Sequence, residues 1–241
     1  MINIFHACIF VFSLNQAATE LYNQGNWYYT QADYHEAIHV YEEAARRIES
    51  VPLYYNLGNA YFKTGRIGMA IINYHRARFL SPRDPDITHN IAYARNYRVD
   101  KARSSSSPIT AFLSAAFTSL SMKEAQITAT IFFVVMSVFV SLYIMKRKKA
   151  FVYAAIAAGM LFVLTFISWQ AWINVRNSRG AVIIVPEVHA MSGPGEEYKH
   201  ILTLHDGAEV RIREERQNHA LIQLPGGLGG WVEKESLEEV H

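Results

Sequence analysis

The sequence predicts a multi-domain membrane protein in three parts: an all-α repeat domain, a two-helix transmembrane hairpin and a small C-terminal β-barrel. Three observations predict it. The chain aligns on itself with a shift of 33 residues, two uncharged apolar runs flank four consecutive cations, and after Gly180 the pattern changes to short β-rich runs. Composition agrees: 51% of the 241 residues are hydrophobic and 18% charged, against roughly 25% charged in ordinary soluble proteins. That balance excludes a disordered chain. The net charge of +2 conceals an uneven distribution, with 11 basic and 9 acidic side chains in 18–103 but 5 and 11 in 181–241. No region is basic enough to expect nucleic acid. The single cysteine, Cys8, leaves no partner for a disulfide or a thiolate zinc site elsewhere.

Residues 1–17 are expected to be a signal peptide, with Ile2–Leu14 as its apolar region and Ala17 and Ala18 at the cleavage zone. An uncleaved anchor is the alternative, because no Lys or Arg precedes the apolar stretch.

The repeat domain is expected over 18–103. The shift of 33 superposes Gly25 on Gly58, Tyr28 on Tyr61, Ala37 on Ala70, Tyr41 on Tyr74 and Ala44 on Ala77. Such a period marks stacked supersecondary units. In the second copy, 51–84, Tyr54, Leu57, Gly58, Tyr61, Gly65, Ala70, Tyr74, Ala77 and Pro82 resemble the tetratricopeptide repeat, a pair of antiparallel helices. Gly58 and Ala70 permit close approach of the two helices, Gly65 supports the turn and Pro82 stops the second helix. The first copy, 18–50, is degenerate, with Ala32 where the second has Gly65. Residues 86–97 repeat the start of a unit and are expected to cap the stack. The resemblance implies a groove on the inner faces of the first helices that holds a peptide or partner helix. Its candidate residues here are Tyr22, Asn26, Tyr29, Tyr55, Asn59, Phe62 and Lys63. Aromatic faces with interleaved Asn and Lys suit a peptide backbone and a carboxylate, although Asn is ordinary at these repeat positions and the aromatics can equally serve packing.

After a linker at 104–122, residues 125–145 and 151–173 are each free of charge and long enough to cross a hydrocarbon core of about 30 Å. Lys146, Arg147, Lys148 and Lys149 separate them. Buried in one continuous helix, four cations would cost on the order of 10 kcal/mol, so two spans joined by a tight loop are expected. The same cations place the 146–149 loop in the cytoplasm and both flanking regions across the membrane. Within the linker, Ile109, Phe112, Leu113, Ala116, Phe117 and Leu120 form an apolar stripe at helical spacing. Two readings stand: a helix lying on the outer leaflet, or a face packed on the protein's own domains.

His35-Glu36-Ala37-Ile38-His39 matches the zinc-peptidase pattern H-E-x-x-H. The repeat accounts for it, because Ala37 is the small inward residue and the other three fall on variable outward positions. No catalytic residue, metal or cofactor is therefore expected. Gly226-Gly227-Leu228-Gly229-Gly230 precedes no helix, so it reads as a hairpin turn between Ala220–Leu224 and Gly230–Val232 rather than a phosphate cradle.

The runs Ala181–Val185, Ala208–Arg213 and Ala220–Leu224 make a small β domain over 180–241. Ser192-Gly193-Pro194, Leu204-His205-Asp206-Gly207 before Val210, and Gly229-Gly230-Trp231-Val232 resemble the bacterial SH3-type domain. The candidate ligand surface is Met191, His219 and Trp231, with Met191 and His219 departing from the usual residues and Trp231 equally suited to closing the barrel.

This order of parts, with Asn90-Ile91-Ala92-Tyr93-Ala94-Arg95 and Val99-Asp100-Lys101 after the repeats, resembles the BatE-type proteins of the Bacteroides aerotolerance (Bat) operon. The resemblance implies a non-enzymatic scaffold at the bacterial inner membrane, with both soluble domains in the periplasm. It implies as partners Bat membrane proteins with von Willebrand A domains and a BatD-type protein, with a MoxR-type ATPase acting indirectly. The alternative is a cell-wall sensor whose SH3-type domain binds peptidoglycan peptides.

Overall fold

A computed structural model describes residues 4–100 and 108–240. Residues 1–3 of the expected signal segment, the Ser104–Ser107 stretch of the linker and the last residue lie outside the described residues. The chain forms two compact units, one built from residues up to 105 together with 179–241, the other from 106–178.

The first unit begins with α1 (Ile4–Thr30), which runs without interruption across Ala17 and Ala18 and packs on the repeat core through Leu21, Tyr22, Tyr28 and Tyr29. It pairs with α2 (Tyr34–Ala45), and α3 (Val51–Lys63) pairs with α4 (Ile67–Leu80). A further helix, α5 (Pro85–Asn96), closes the stack. Local chemistry fixes these boundaries: Asp33, Ser50 and Asp84 each accept a backbone hydrogen bond at the start of their helix, and prolines stand in the first turns of α3 and α5. The tyrosine-for-glycine fit expected at the helix pair holds in both copies. A Cβ added to Gly58 would stand 2.6 Å from the Tyr74 ring, and one on Gly25 would stand 2.4 Å from the Tyr41 ring. Both turns place a residue in the left-handed region, Gly65 at φ 78° and Ala32 at φ 60°.

From Gly180 seven strands follow: β1 (Gly180–Ile183), β2 (Glu187–Met191), β3 (His200–His205), β4 (Glu209–Arg216), β5 (His219–Gln223), β6 (Gly229–Glu233) and β7 (Leu237–Glu239). They form one antiparallel sheet in the order β3-β2-β6-β5-β4-β1-β7. The expected barrel is thus an open sheet with β3 and β7 as its edges. An exposed edge invites unwanted strand pairing, and here the β7 edge is covered: Arg76 of α4 donates to the carbonyls of Glu239 and Val240. The expected hairpin between β5 and β6 is present, with Gly230 opposite Ile222 and Gly229 opposite Gln223.

The sheet is docked on the repeats. Val182 and Val240 belong to the repeat domain's own core, and Asp206 Oδ1 accepts from the Gly68 N–H at 3.0 Å, in the first turn of α4. A cluster of ion pairs seals the contact, with Glu209 accepting from Arg95 at 2.6 and 2.7 Å, from Arg98 at 2.8 Å and from His75 at 3.1 Å.

The second unit contains α6 (Pro108–Phe117), α7 (Met122–Lys146) and α8 (Lys149–Asn177). Helices α7 and α8 are long and apolar enough to cross a membrane, and most of their apolar surface is exposed. A core helix of a soluble domain would be buried instead. Ala125 and Ala129 of α7 and Ala158 of α8 are buried, and between the helices Phe133 packs on Phe162 with ring centroids 5.7 Å apart. Of the four loop cations only Arg147 and Lys148 lie between the helices. Lys146 ends α7, Lys149 opens α8, and Arg147 takes the left-handed C-cap conformation at φ 52°. Hydroxyls along α7 and α8, including Thr130, Ser137, Ser141 and Thr165, bond the carbonyl four residues back, which satisfies them without water.

Candidate functional site

The expected groove residues sit on α1 and α3, with the fifth helix extending their face. Lys63 is exposed, while Tyr22, Asn26, Tyr29, Tyr55, Asn59 and Phe62 are half-buried. The asparagines bind the stack together. Asn26 Oδ1 accepts from the Tyr41 hydroxyl at 2.7 Å and from Asn56 Nδ2 at 2.9 Å. One repeat later, Asn59 Oδ1 accepts from the Tyr74 hydroxyl at 2.8 Å and from Asn90 Nδ2 at 3.1 Å. Each carbonyl oxygen has two lone pairs, so both Asn acceptors are occupied by the fold and only their N–H groups remain for a ligand. Tyr22 is drawn into the same network, its hydroxyl accepting from Asn56 Nδ2 at 3.1 Å. Burial raises the hydroxyl pKa of Tyr41 and Tyr74, so both keep the proton that these bonds require. Burial likewise raises that of Tyr29, reinforced by Tyr34 and Tyr55.

Phe62 opens onto a cluster that the sequence reading missed. Its ring lies 5.4 Å from Tyr93 and 5.1 Å from Tyr97. The two tyrosine hydroxyls meet at 2.7 Å, and His89 stacks 6.3 Å from Tyr93. Tyr93 and Tyr97 are 46% and 56% exposed, unusual for rings in mutual contact. A signal was present: the same offset that carries Asn56 to Asn90 carries Asn59 to Tyr93 and Lys63 to Tyr97. Applied to α5 as well as α3, the repeat would have extended the groove. Chemically, this face offers ring edges and faces for apolar or proline-rich side chains, Asn N–H donors for a backbone, and Lys63 for an anion.

On the sheet, Met191, His219 and Trp231 share one face. Met191 is directly opposite Trp231, Trp231 opposite Leu221, and His219 opposite Glu233 one pleat further on. Trp231 is 8% exposed, with the Arg216 guanidinium 5.3 Å above its ring. His35, Glu36 and His39 are exposed on α2, and among the described residues no group of three His, Cys, Asp or Glu could hold a metal.

The most perturbed acid of the first unit is Glu209. Burial pushes its carboxyl up, but hydrogen bonds from His75 and Arg95 and the Arg95 charge outweigh burial and hold it well below the usual carboxylate range. Its partner His75 is pushed down chiefly by burial. It therefore stays neutral, with Nε2 facing Glu209 and Nδ1 facing Arg78 at 3.0 Å.

Residues 51–77 match the family model of the tetratricopeptide repeat. Among curated proteins, none matches the chain significantly. What the chain contains, on sequence and geometry together, is a tetratricopeptide repeat within a helical stack, the architecture of a protein that binds proteins.

Proposed function

We propose that this chain is a non-enzymatic scaffold of the bacterial inner membrane, of the Bat type, whose repeat groove binds a protein partner in the periplasm. The observation that carries the reading is the half-open aromatic face of Phe62, Tyr93 and Tyr97 on a tetratricopeptide stack. Rings held by neighbours yet left exposed can receive a ligand with little further ordering cost.

Membrane topology fits. The first unit is assembled from chain that precedes and chain that follows the apolar hairpin, which supports a topology with both on one side of the membrane. An even number of spans agrees with that, and the cations from Lys146 to Lys149 favour a cytoplasmic loop. In a Cys8→Ser background, a cysteine at Ser192 should react with an impermeant maleimide in intact spheroplasts and one at Lys148 should not. The reverse pattern would sink the orientation. For the groove, a photo-crosslinker at Lys63 in native membranes should capture a von Willebrand A-domain Bat protein or a BatD-type protein. Phe62→Ala combined with Tyr93→Ala should abolish capture; persistence would place the partner elsewhere.

A cell-wall sensor is the second reading, favoured by the shared face of Met191, His219 and Trp231. Sacculus binding by the full chain, lost in Trp231→Ala, would support it.

A further inference from the structure

Helix α6 ends in a way that water alone would not require. The last carbonyls of a helix lack intrahelical partners, and an exposed end can leave them to solvent. Here two side chains of α8 supply donors: the Ser168 hydroxyl donates to the carbonyl of Phe117, the last residue of α6, and Trp172 Nε1 donates to Leu120 O in the turn that leads to α7, at 2.6 Å. Ser168 and Trp172 are each only 5% exposed and stand one turn apart. They lie inside a stretch of α8, from 150 to 175, that has no charged residue. The first charge beyond it is Arg176, four residues after Trp172 and eight after Ser168, or about 6 and 12 Å along the helix axis. The end of α6 is thus tied to the outermost turns of the span, where an unsatisfied carbonyl would cost several kcal/mol in hydrocarbon.

The other end of α6 turns its apolar stripe outward. Phe112 is 72% and Leu113 47% exposed, so neither α7 nor α8 covers this part of the stripe. Residues 108–121 carry no charge, and α7, the next helix in the chain, exposes the apolar Ile127 and Ile131. The occupant consistent with an uncharged stripe, contiguous with a lipid-facing helix and tied at interfacial depth, is the bilayer itself.

We infer that α6 is an interfacial foot, lying in the leaflet at the Met122 and Asn177 ends of the hairpin, with Phe112 and Leu113 among the acyl chains and its C-terminus clamped by Ser168 and Trp172. This rests on the reading of α7 and α8 as membrane spans, and the test separates the two. The full chain, Cys8→Ser, is reconstituted in vesicles of phosphatidylcholine and phosphatidylglycerol with a nitroxide at Phe112→Cys, Ile131→Cys or Asp84→Cys. Collisional access to oxygen and to a water-soluble nickel complex is then measured.

The label at 112 should report a depth of about 5–10 Å below the headgroup level, the label at 131 a greater depth, and the label at 84 full access to nickel. Nickel access at 131 would overturn the spans and the foot together. A deep label at 131 with a nickel-accessible label at 112 would overturn the foot alone. A label at 112 shielded from both reagents would also overturn it, because the stripe would then be packed on protein. Ser168→Ala with Trp172→Phe should broaden the depth at 112 and leave 131 unchanged; an unaltered 112 would overturn the clamp.

Discussion

The helices α2 and α4 occupy the same place in successive repeats and live in different surroundings. The shift of 33 carries His35, Glu36 and His39 onto Gly68, Met69 and Ile72. On α2 those three positions are exposed and polar, whereas on α4 they are buried. The inner faces of the two repeats are wired alike, through Asn26 with Tyr41 and Asn59 with Tyr74. The outer faces differ because only α4 has the β-sheet against it, with Asp206 at its first turn and Glu209 facing His75. A zinc-like pattern at one copy and a docking surface at the other are therefore the same helix face, solvated in one case and covered in the other.

The comparison breaks most severely at Glu209. Glu209→Ala leaves Arg95, Arg98 and His75 without their shared partner, and losing one member of a largely buried charge cluster costs about 3–5 kcal/mol. Urea unfolding of the full chain in detergent should show that loss, and a change below about 1 kcal/mol would mean the sheet is not held there. Next in size is Gly68→Ala, whose Cβ would fall 2.3 Å from Ile183 O and 2.5 Å from Asp206 Oδ1. It should cost about 1–3 kcal/mol, while the equivalent His35→Ala stays within about 0.5 kcal/mol. Equal effects at 35 and 68 would contradict the asymmetry between the copies.

Acid should separate the two faces as well. His75 is held neutral below its ordinary value of 6.5, and Glu209 is held ionised below its ordinary value of 4.5. In both cases the unfolded chain binds more protons than the folded one over the intervening range, so stability falls as the pH falls. The decline begins as pH drops through about 6.5 and steepens below 4.5. Glu209→Gln should flatten the acid limb of a stability profile, and an unchanged limb would mean that this cluster does not set it. The smallest effect is expected at the turn: Ala32 takes φ 60° where the second copy has Gly65, and Ala32→Gly should gain up to about 1 kcal/mol. A loss would show that the Ala32 side chain supports the turn.

Some of the site was legible in advance because its signals are local. Gly58 with Tyr74 follows from side-chain size and spacing and appears where the pattern placed it; the four cations mark the break between the two apolar helices, with Arg147 and Lys148 between them and Lys146 and Lys149 at the helix ends. Tyr93 and Tyr97 escaped because α5 has no second helix to complete a repeat, so the period was not carried through it. The occupation of Asn26 and Asn59 escaped for another reason, since a hydrogen bond to Tyr41 or Tyr74 depends on how two helices cross.

By itself the sequence determined the repeat, the two apolar helices and the change to strands, because periodicity and uncharged length are properties of short windows. Tertiary structure alone decided that residues 179–241 pack on a stack more than seventy positions earlier in the chain. The contacts responsible, Glu209 with Arg95 and Asp206 with Gly68, have no sequence signature. Each is an ordinary surface residue until the partner surface removes it from water.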